Sequence, residues 1–128
     1  MTKIIVDAFA WIEYFNGSDK GLNVKKLLET DHNEIITCST TVAEVISKLL
    51  RKNLDSQIAL NHINNLSKVI DITQEISILA GEIHFIEKKK NVDFGMLDSF
   101  VAATAKKLNA KIVTGDNDFK NFKETIFI

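Results

Sequence analysis

The stretch Lys3-Ile4-Ile5-Val6-Asp7-Ala8-Phe9-Ala10-Trp11-Ile12-Glu13-Tyr14-Phe15-Asn16-Gly17-Ser18 decides the architecture, because its hydrophobic period changes at Asp7. Ile4 to Val6 is an unbroken β-branched run, with none of the alternation that a half-exposed strand shows. Lys3 to Val6 therefore reads as a buried strand ending at Asp7. Ala8 to Phe15 suits a short helix, closed by the turn signal Asn16-Gly17-Ser18. A strand covered on both faces and followed at once by a helix belongs in a parallel sheet with helices on it.

The same alternation continues outward. Leu22 to Thr30 reads as a helix with Leu22, Leu27 and Leu28 apolar, and Glu34 to Cys38 as the second strand. Ser39, Thr40 and Thr41 offer N-caps to a helix whose Val42, Val45, Ile46, Leu49 and Leu50 share a stripe. Asp55 caps a further helix with Ile58, Ala59, Ile63 and Leu66 inward, and Lys68 to Ile72 is the third strand. Thr73 starts a long helix that aligns Ile76, Leu79, Ala80, Ile83 and Ile86 and ends in Lys88-Lys89-Lys90. Gly95 to Asn109 is helical, burying Leu97, Phe100, Val101, Thr104, Ala105 and Leu108. Lys111 to Thr114 and Thr125 to Ile128 supply the last two strands. Five short strands joined by helices predict one open, doubly wound α/β sheet. With no proline, five glycines, no repeat and no linker composition, residues 1–128 read as a single domain.

Bulk properties narrow the class. A hydrophobic fraction of 45% allows a sizeable core, and 16 basic against 17 acidic residues (net charge -1) excludes a basic nucleic-acid-coating protein. Cys38 is the only cysteine, so neither an internal disulfide nor a thiolate zinc cluster can form, and it reads as a small core residue. The apolar runs are far too short for a membrane span, and the N-terminus is too short in apolar length for a signal peptide. A cytoplasmic, reduced protein is expected.

In doubly wound sheets the ligand lies beyond the carboxyl ends of strands, where strand order reverses. Acids occupy those positions here. Asp7 follows the first strand, Glu44 is near the start of the helix after the second, and Asp98 begins the helix leading into the fourth. Asp116 and Asp118 follow the fourth strand in Val113-Thr114-Gly115-Asp116-Asn117-Asp118-Phe119. Converging carboxylates raise one another's pKa unless cations neutralise them, and an all-oxygen cage suits Mg²⁺ or Mn²⁺ rather than zinc. Each acid also has a purely structural reading. Asp7 can cap a helix, Thr41-Val42-Ala43-Glu44 matches a capping box, Asp98 can answer a helix dipole, and Asp116-Asn117-Asp118 can be an Asx turn. Their joint placement is what favours function.

The chain resembles PIN-domain proteins of the VapC-type toxin subgroup. Four segments carry the resemblance: Ile5-Val6-Asp7-Ala8-Phe9-Ala10-Trp11-Ile12-Glu13, Ser39-Thr40-Thr41-Val42-Ala43-Glu44-Val45, Gly95-Met96-Leu97-Asp98-Ser99-Phe100-Val101-Ala102-Ala103-Thr104-Ala105, and Ile112-Val113-Thr114-Gly115-Asp116-Asn117-Asp118-Phe119. The resemblance implies a five-stranded parallel sheet in the order 3-2-1-4-5, flanked by helices. It also implies an acidic Mg²⁺ pocket and single-strand-specific endoribonuclease activity. Asp7, Glu44, Asp98 and Asp116 match the family's four acids, and Asp118 a common fifth. A homodimer and a small inhibitory antitoxin are implied likewise. Two departures stand out. Phe9 occupies a position that is often Ser, Thr or Asn, so a hydrogen bond near the metal is either missing or supplied elsewhere, with Thr114 as a candidate, and Gly115 stands where a basic residue is common.

On this reading Asp7, Asp98 and Asp116 are the main metal ligands, while Glu44 and Asp118 shape a second ion site or orient water. Lys48, Arg51 and Lys52 read as a solvated helix end rather than an RNA contact, and Lys88-Lys89-Lys90 as a cationic helix terminus. Trp11, Tyr14 and Phe15 read as core, and His32, His62 and His84 have no metal-ligand spacing. Two other readings compete: a catalytically silent PIN-fold RNA-binding subunit, and a receiver-like phosphoacceptor domain. The latter lacks both a second acid before Asp7 and a lysine after the last strand.

Overall fold

Ile4, Ile5 and Val6 are almost wholly enclosed, and the strand they form is the middle of the sheet. The computed structural model describes residues 1–128. Its strands are β1 (Thr2–Val6), β2 (Asn33–Cys38), β3 (Lys68–Ile70), β4 (Lys111–Thr114) and β5 (Thr125–Phe127). Its helices are α1 (Ala8–Asn16), α2 (Asp19–Leu28), α3 (Ser39–Arg51), α4 (Ser56–Leu66), α5 (Gln74–Lys90) and α6 (Met96–Leu108). The sheet has the order β3-β2-β1-β4-β5, and every pairing is parallel. Ile5 stands beside Ile36 on one side and Ile112 on the other. The order reverses at β1, so the crevice beyond its carboxyl end is the place for a ligand. A receiver-type sheet runs 2-1-3-4-5, and the observed order sets that alternative aside.

Alternate residues of β1 serve opposite cores. Ile4 and Val6 pack with Trp11, Val24, Val45, Leu49 and Ile63 of α1 to α4. Ile5 packs with Val101, Ala102 and Ala105 of α6 on the other face, and α5 closes over α6 through Ile76, Ala80 and Ala103. Each enclosed Ile or Val contributes about 1.5–3 kcal/mol of burial. Trp11, as expected, is core. Its ring stacks on Phe15 at 5.7 Å, and its Nε1–H donates to Thr37 Oγ1 at 3.1 Å. Thr37 in turn shares a 2.8 Å hydrogen bond with Ser67, whose hydroxyl donates to the Ile63 carbonyl. That relay ties α1 to β2 and α4. Cys38 is also core, and burial pushes its thiol pKa up, away from thiolate chemistry.

Several boundaries and facings differ from expectation. Helix α2 begins three residues earlier than Leu22, because the Ser18 hydroxyl caps it by accepting from the Gly21 N–H at 3.0 Å. Its buried stripe centres on Gly21 and Val24, so Leu22, turned by about 100° from Gly21, is exposed. Ile58 is exposed for the same reason, since α4 buries Ala59 and Ile63. Ile86 and Leu97, expected inward, also face solvent, as does Leu50. Strand β3 stops at Ile70, two residues short of the expected end.

Helices α1 and α2 meet closely enough that Gly21 has no room for a side chain: a Cβ there would lie 2.1 Å from the Glu13 carbonyl oxygen. Gly21→Ala is expected to lower unfolding free energy by at least about 2 kcal/mol, since backbone must move. A urea denaturation curve with a reduced midpoint and unchanged slope would show it.

Candidate active site

Four segments deliver five acids to the crevice at the end of β1. Asp7 leaves β1 and caps α1, its Oδ1 accepting from the Ala10 N–H at 2.9 Å. Glu44 projects from the second turn of α3, and Asp98 from the first turn of α6. Asp116 and Asp118 stand on the loop after β4, around a short 3₁₀ turn (Asn117–Phe119). A cavity of about 50 Å³ is lined by Asp7, Glu44, Lys48, Asp98 and Asp116, with Ala8, Phe9 and Val101. A cleft of about 420 Å³ between α5 and α6 is larger, but Ile83, Ile86, Ala102, Ala105 and Phe122 dominate its walls. Size does not locate the chemistry here; the converging carboxylates do.

The bland readings of these acids can now be tested. The capping box at Thr41–Glu44 does not form: α3 starts at Ser39 with Cys38 as its cap residue, and no side chain caps it. None of Ser39, Thr40 or Thr41 plays the expected capping part, and Glu44 is left facing the cavity. Asp98 does reach back to its helix start, Oδ2 accepting from the Gly95 N–H at 2.9 Å. Asp116 does make an Asx turn, Oδ1 accepting from the Asp118 N–H at 2.9 Å. These bonds orient the carboxylates without neutralising them.

The tightest group is Asp98, Asp116 and Asp118, each offering one oxygen within 4.8 Å of the others. Asp7, expected alongside Asp98 and Asp116, lies outside that trio: it is almost fully buried and lines the cavity beside Glu44, Asp98 and Asp116. Asp118 is steadied by Asn91, whose Nδ2 donates to its Oδ1 at 2.8 Å. Nothing in the sequence pattern marks Asn91, which lies just past the end of α5 and reaches the site only through the fold. Beneath it, Phe94, Phe119 and Phe122 pack with ring centroids 5.7–6.1 Å apart. That aromatic cluster clamps the segment before α6 to the loop after β4. Lys48, expected on a solvated helix end, instead lines the cavity, while Arg51 and Lys52 are exposed.

The electrostatics are those of a site built for a cation. Burial pushes Asp7 from 3.8 up to about 7 against the pull of the Thr114 hydroxyl and the Ala10 N–H, with Asp116 and Asp98 adding repulsion. Thr114 thus takes the place expected of it beside Asp7. Glu44 and Asp98 are raised chiefly by burial, with other acids of the cluster adding to it. Lys48 draws both down, yet none of the five carboxylates forms a salt bridge. The chain's ion pairs are Lys25–Glu29, Glu87–Lys90 and Glu75–Lys107. An all-oxygen donor set of this spacing, with Lys48 as its one nearby cation and no salt bridge to any of its acids, fits a hard divalent cation.

Residues 4–124 match the family model of the PIN domain, so the chain belongs to the PIN domain family. It is 28% identical over 119 residues to a VapC ribonuclease of Mycobacterium bovis and to ribonuclease VapC11 of Mycobacterium tuberculosis, covering 91% of this chain and 88% of each relative. Its fold is that of VapC20 of Mycobacterium tuberculosis, described as a sarcin–ricin loop cleaving toxin (TM-score 0.77, 18% identity, 98% of this chain and 96% of that one). It is also that of VapBC2 from Rickettsia felis bound to promoter DNA (TM-score 0.75, 20% identity, 99% and 98%).

Two predictions follow from this geometry. The folded state holds the Asp7 proton more tightly than the unfolded chain, so between about pH 4 and pH 7 the unfolded state ionises first and stability falls as pH rises. Asp7→Asn is therefore expected to raise the melting temperature of metal-free protein near about pH 8 and to leave it unchanged near about pH 4, read by calorimetry. Separately, a Cβ on Gly115 would lie 2.3 Å from Cε1 of Phe9. Gly115→Ala is expected to cost about 1–3 kcal/mol, and Phe9→Ala in the same chain to relieve most of that clash. A double-mutant cycle in urea measures the coupling.

Proposed function

We propose that this chain is a Mg²⁺-dependent, single-strand-specific endoribonuclease acting in the cytoplasm as the toxin of a toxin–antitoxin pair. The observation that carries the reading is the convergence of Asp7, Glu44, Asp98, Asp116 and Asp118 in one crevice with no salt-bridge partner. Asp98, Asp116 and Asp118 would hold the cation, with Mn²⁺ as a possible substitute, and Asp7 and Glu44 border it. When bound, the ion supplies an activated water and offsets charge building on the phosphate. Asp7, fixed by the Ala10 N–H and Thr114, sets the depth of the pocket. Glu44, partly buried with a raised pKa, would orient the attacking water and accept its proton. Lys48 puts a positive charge beside the phosphate path. The water oxygen bonds phosphorus as the bond to the 3′ oxygen breaks, leaving 5′-phosphate and 3′-hydroxyl ends.

The partnership rests on the relatives and on the surface. Solved neighbours include a toxin–antitoxin complex from Klebsiella pneumoniae and VapBC-5 of Mycobacterium tuberculosis, a member of the VapBC family of toxin–antitoxin systems. Exposed Leu22 and Ile58 line one cleft with Tyr14 and Phe15, an apolar surface of the kind that antitoxin or a second copy of the chain covers. A homodimer is part of the proposal. No helix is long and apolar enough to cross a membrane.

The direct test is cleavage of a mixed RNA pool by EDTA-stripped protein, with and without Mg²⁺ or Mn²⁺. Cutting should depend on metal and fall by at least on the order of a hundredfold in Asp98→Asn, which keeps the shape and removes a charge. A folded, metal-binding protein that cuts nothing would turn the reading toward an RNA-binding subunit without catalysis.

A further inference from the structure

Phe9 is the only aromatic side chain on the acidic cavity. Its counterparts Trp11, Phe94 and Phe119 are fully buried in the core, whereas Phe9 keeps part of its surface open. It is not held by a hydrophobic cluster; the core clusters of both sheet faces omit it. What fixes the ring is Gly115, one residue before Asp116. A Cβ at that position would fall 2.3 Å from Cε1 and 2.8 Å from Cδ1, so the ring rests where only a bare backbone leaves room. Across from it, the Lys20 ammonium lies 5.3 Å from the ring centroid, on an exposed and flexible side chain.

The open part of the ring leaves apolar surface in water, and burying it against another flat apolar face is favourable. The bases of single-stranded nucleic acid do cover such rings, stacking on them regardless of sequence. Lys20 already shows that the ring accepts a cation at its face, and an exposed ammonium can exchange the ring for a phosphate oxygen. We propose that Phe9, seated on Gly115, is the stacking platform for the nucleobase next to the scissile phosphate, with Lys20 gripping the adjoining phosphate. Phe9 is then a positioning and affinity residue, and single-stranded RNA is its ligand because a base within a duplex has no free face. The inference rests on the nuclease reading above and deepens it.

Steady-state cleavage of a short single-stranded RNA by the full chain, Phe9→Leu and Phe9→Tyr separates stacking from space-filling. Leu keeps apolar bulk but removes the π face, so KM is expected to rise on the order of tenfold or more at unchanged kcat, and Tyr to restore it. Equal KM for Leu and Phe overturns the platform, and so does a fall in kcat at unchanged KM, which would mean that the ring acts on the carboxylates alone. Should the Leu variant fail to fold, Phe9→Trp in the Asp98→Asn background reports directly. Its emission should be quenched on titration with oligoadenylate, and an unquenched indole with RNA bound overturns the proposal. Failure of the unaltered chain to cut or bind RNA at all would instead sink the nuclease reading, and this one with it.

Discussion

Carboxylates crowded into one crevice repel, and a buried one also loses its hydration, so the cluster at the end of β1 strains the fold that holds it. Everything near it reads as an answer to that strain. Asp7 is clamped by the Ala10 N–H and the Thr114 hydroxyl, Asp98 by the Gly95 N–H, Asp116 by the Asp118 N–H and Asp118 by Asn91. These are hydrogen-bond donors, not counter-ions: they aim the oxygens and leave the charge unmet. The enclosed strand β1 supplies the rigidity that makes the arrangement possible, because Ile4, Ile5 and Val6 anchor both faces of the sheet one residue before Asp7.

The bracing reaches further than the hydrogen bonds. Asp116 and Asp118 sit on a loop, and loops move unless packing holds them. Phe94, Phe119 and Phe122 supply that packing by joining the approach to α6 with the exit from β4. Carboxylates that come from segments distant in sequence therefore share one rigid floor, the condition for a site whose geometry is set before substrate arrives.

Much of this was legible in the chain. The unbroken run Ile4-Ile5-Val6 ending in Asp7 marks a buried strand with an acid at its tip, while its central place in the order 3-2-1-4-5 is carried by the family resemblance. Local period failed where it had to. Ile58 reads as inward on a short stripe, but one step along a helix is enough to turn a side chain to solvent, and only packing decides which step is buried. Thr41 and Glu44 fit a capping pattern that the backbone does not use, since the helix cap falls three residues earlier, at Cys38. Lys48 shares a basic helix end with Arg51 and Lys52, but the cavity opens on its own side of α3. Asn91 and the phenylalanine floor were invisible because they act across the fold, at positions with no period to reveal them.

The two outermost strands, β3 and β5, are three residues each. A border that short offers few free backbone groups for another chain to zip onto, which suppresses strand-to-strand growth into fibrils. It also means that a visiting polypeptide has little to gain by lengthening the sheet. Recognition of this molecule is then left to side chains on its helices and loops, which can change by surface substitution while the scaffold stays untouched.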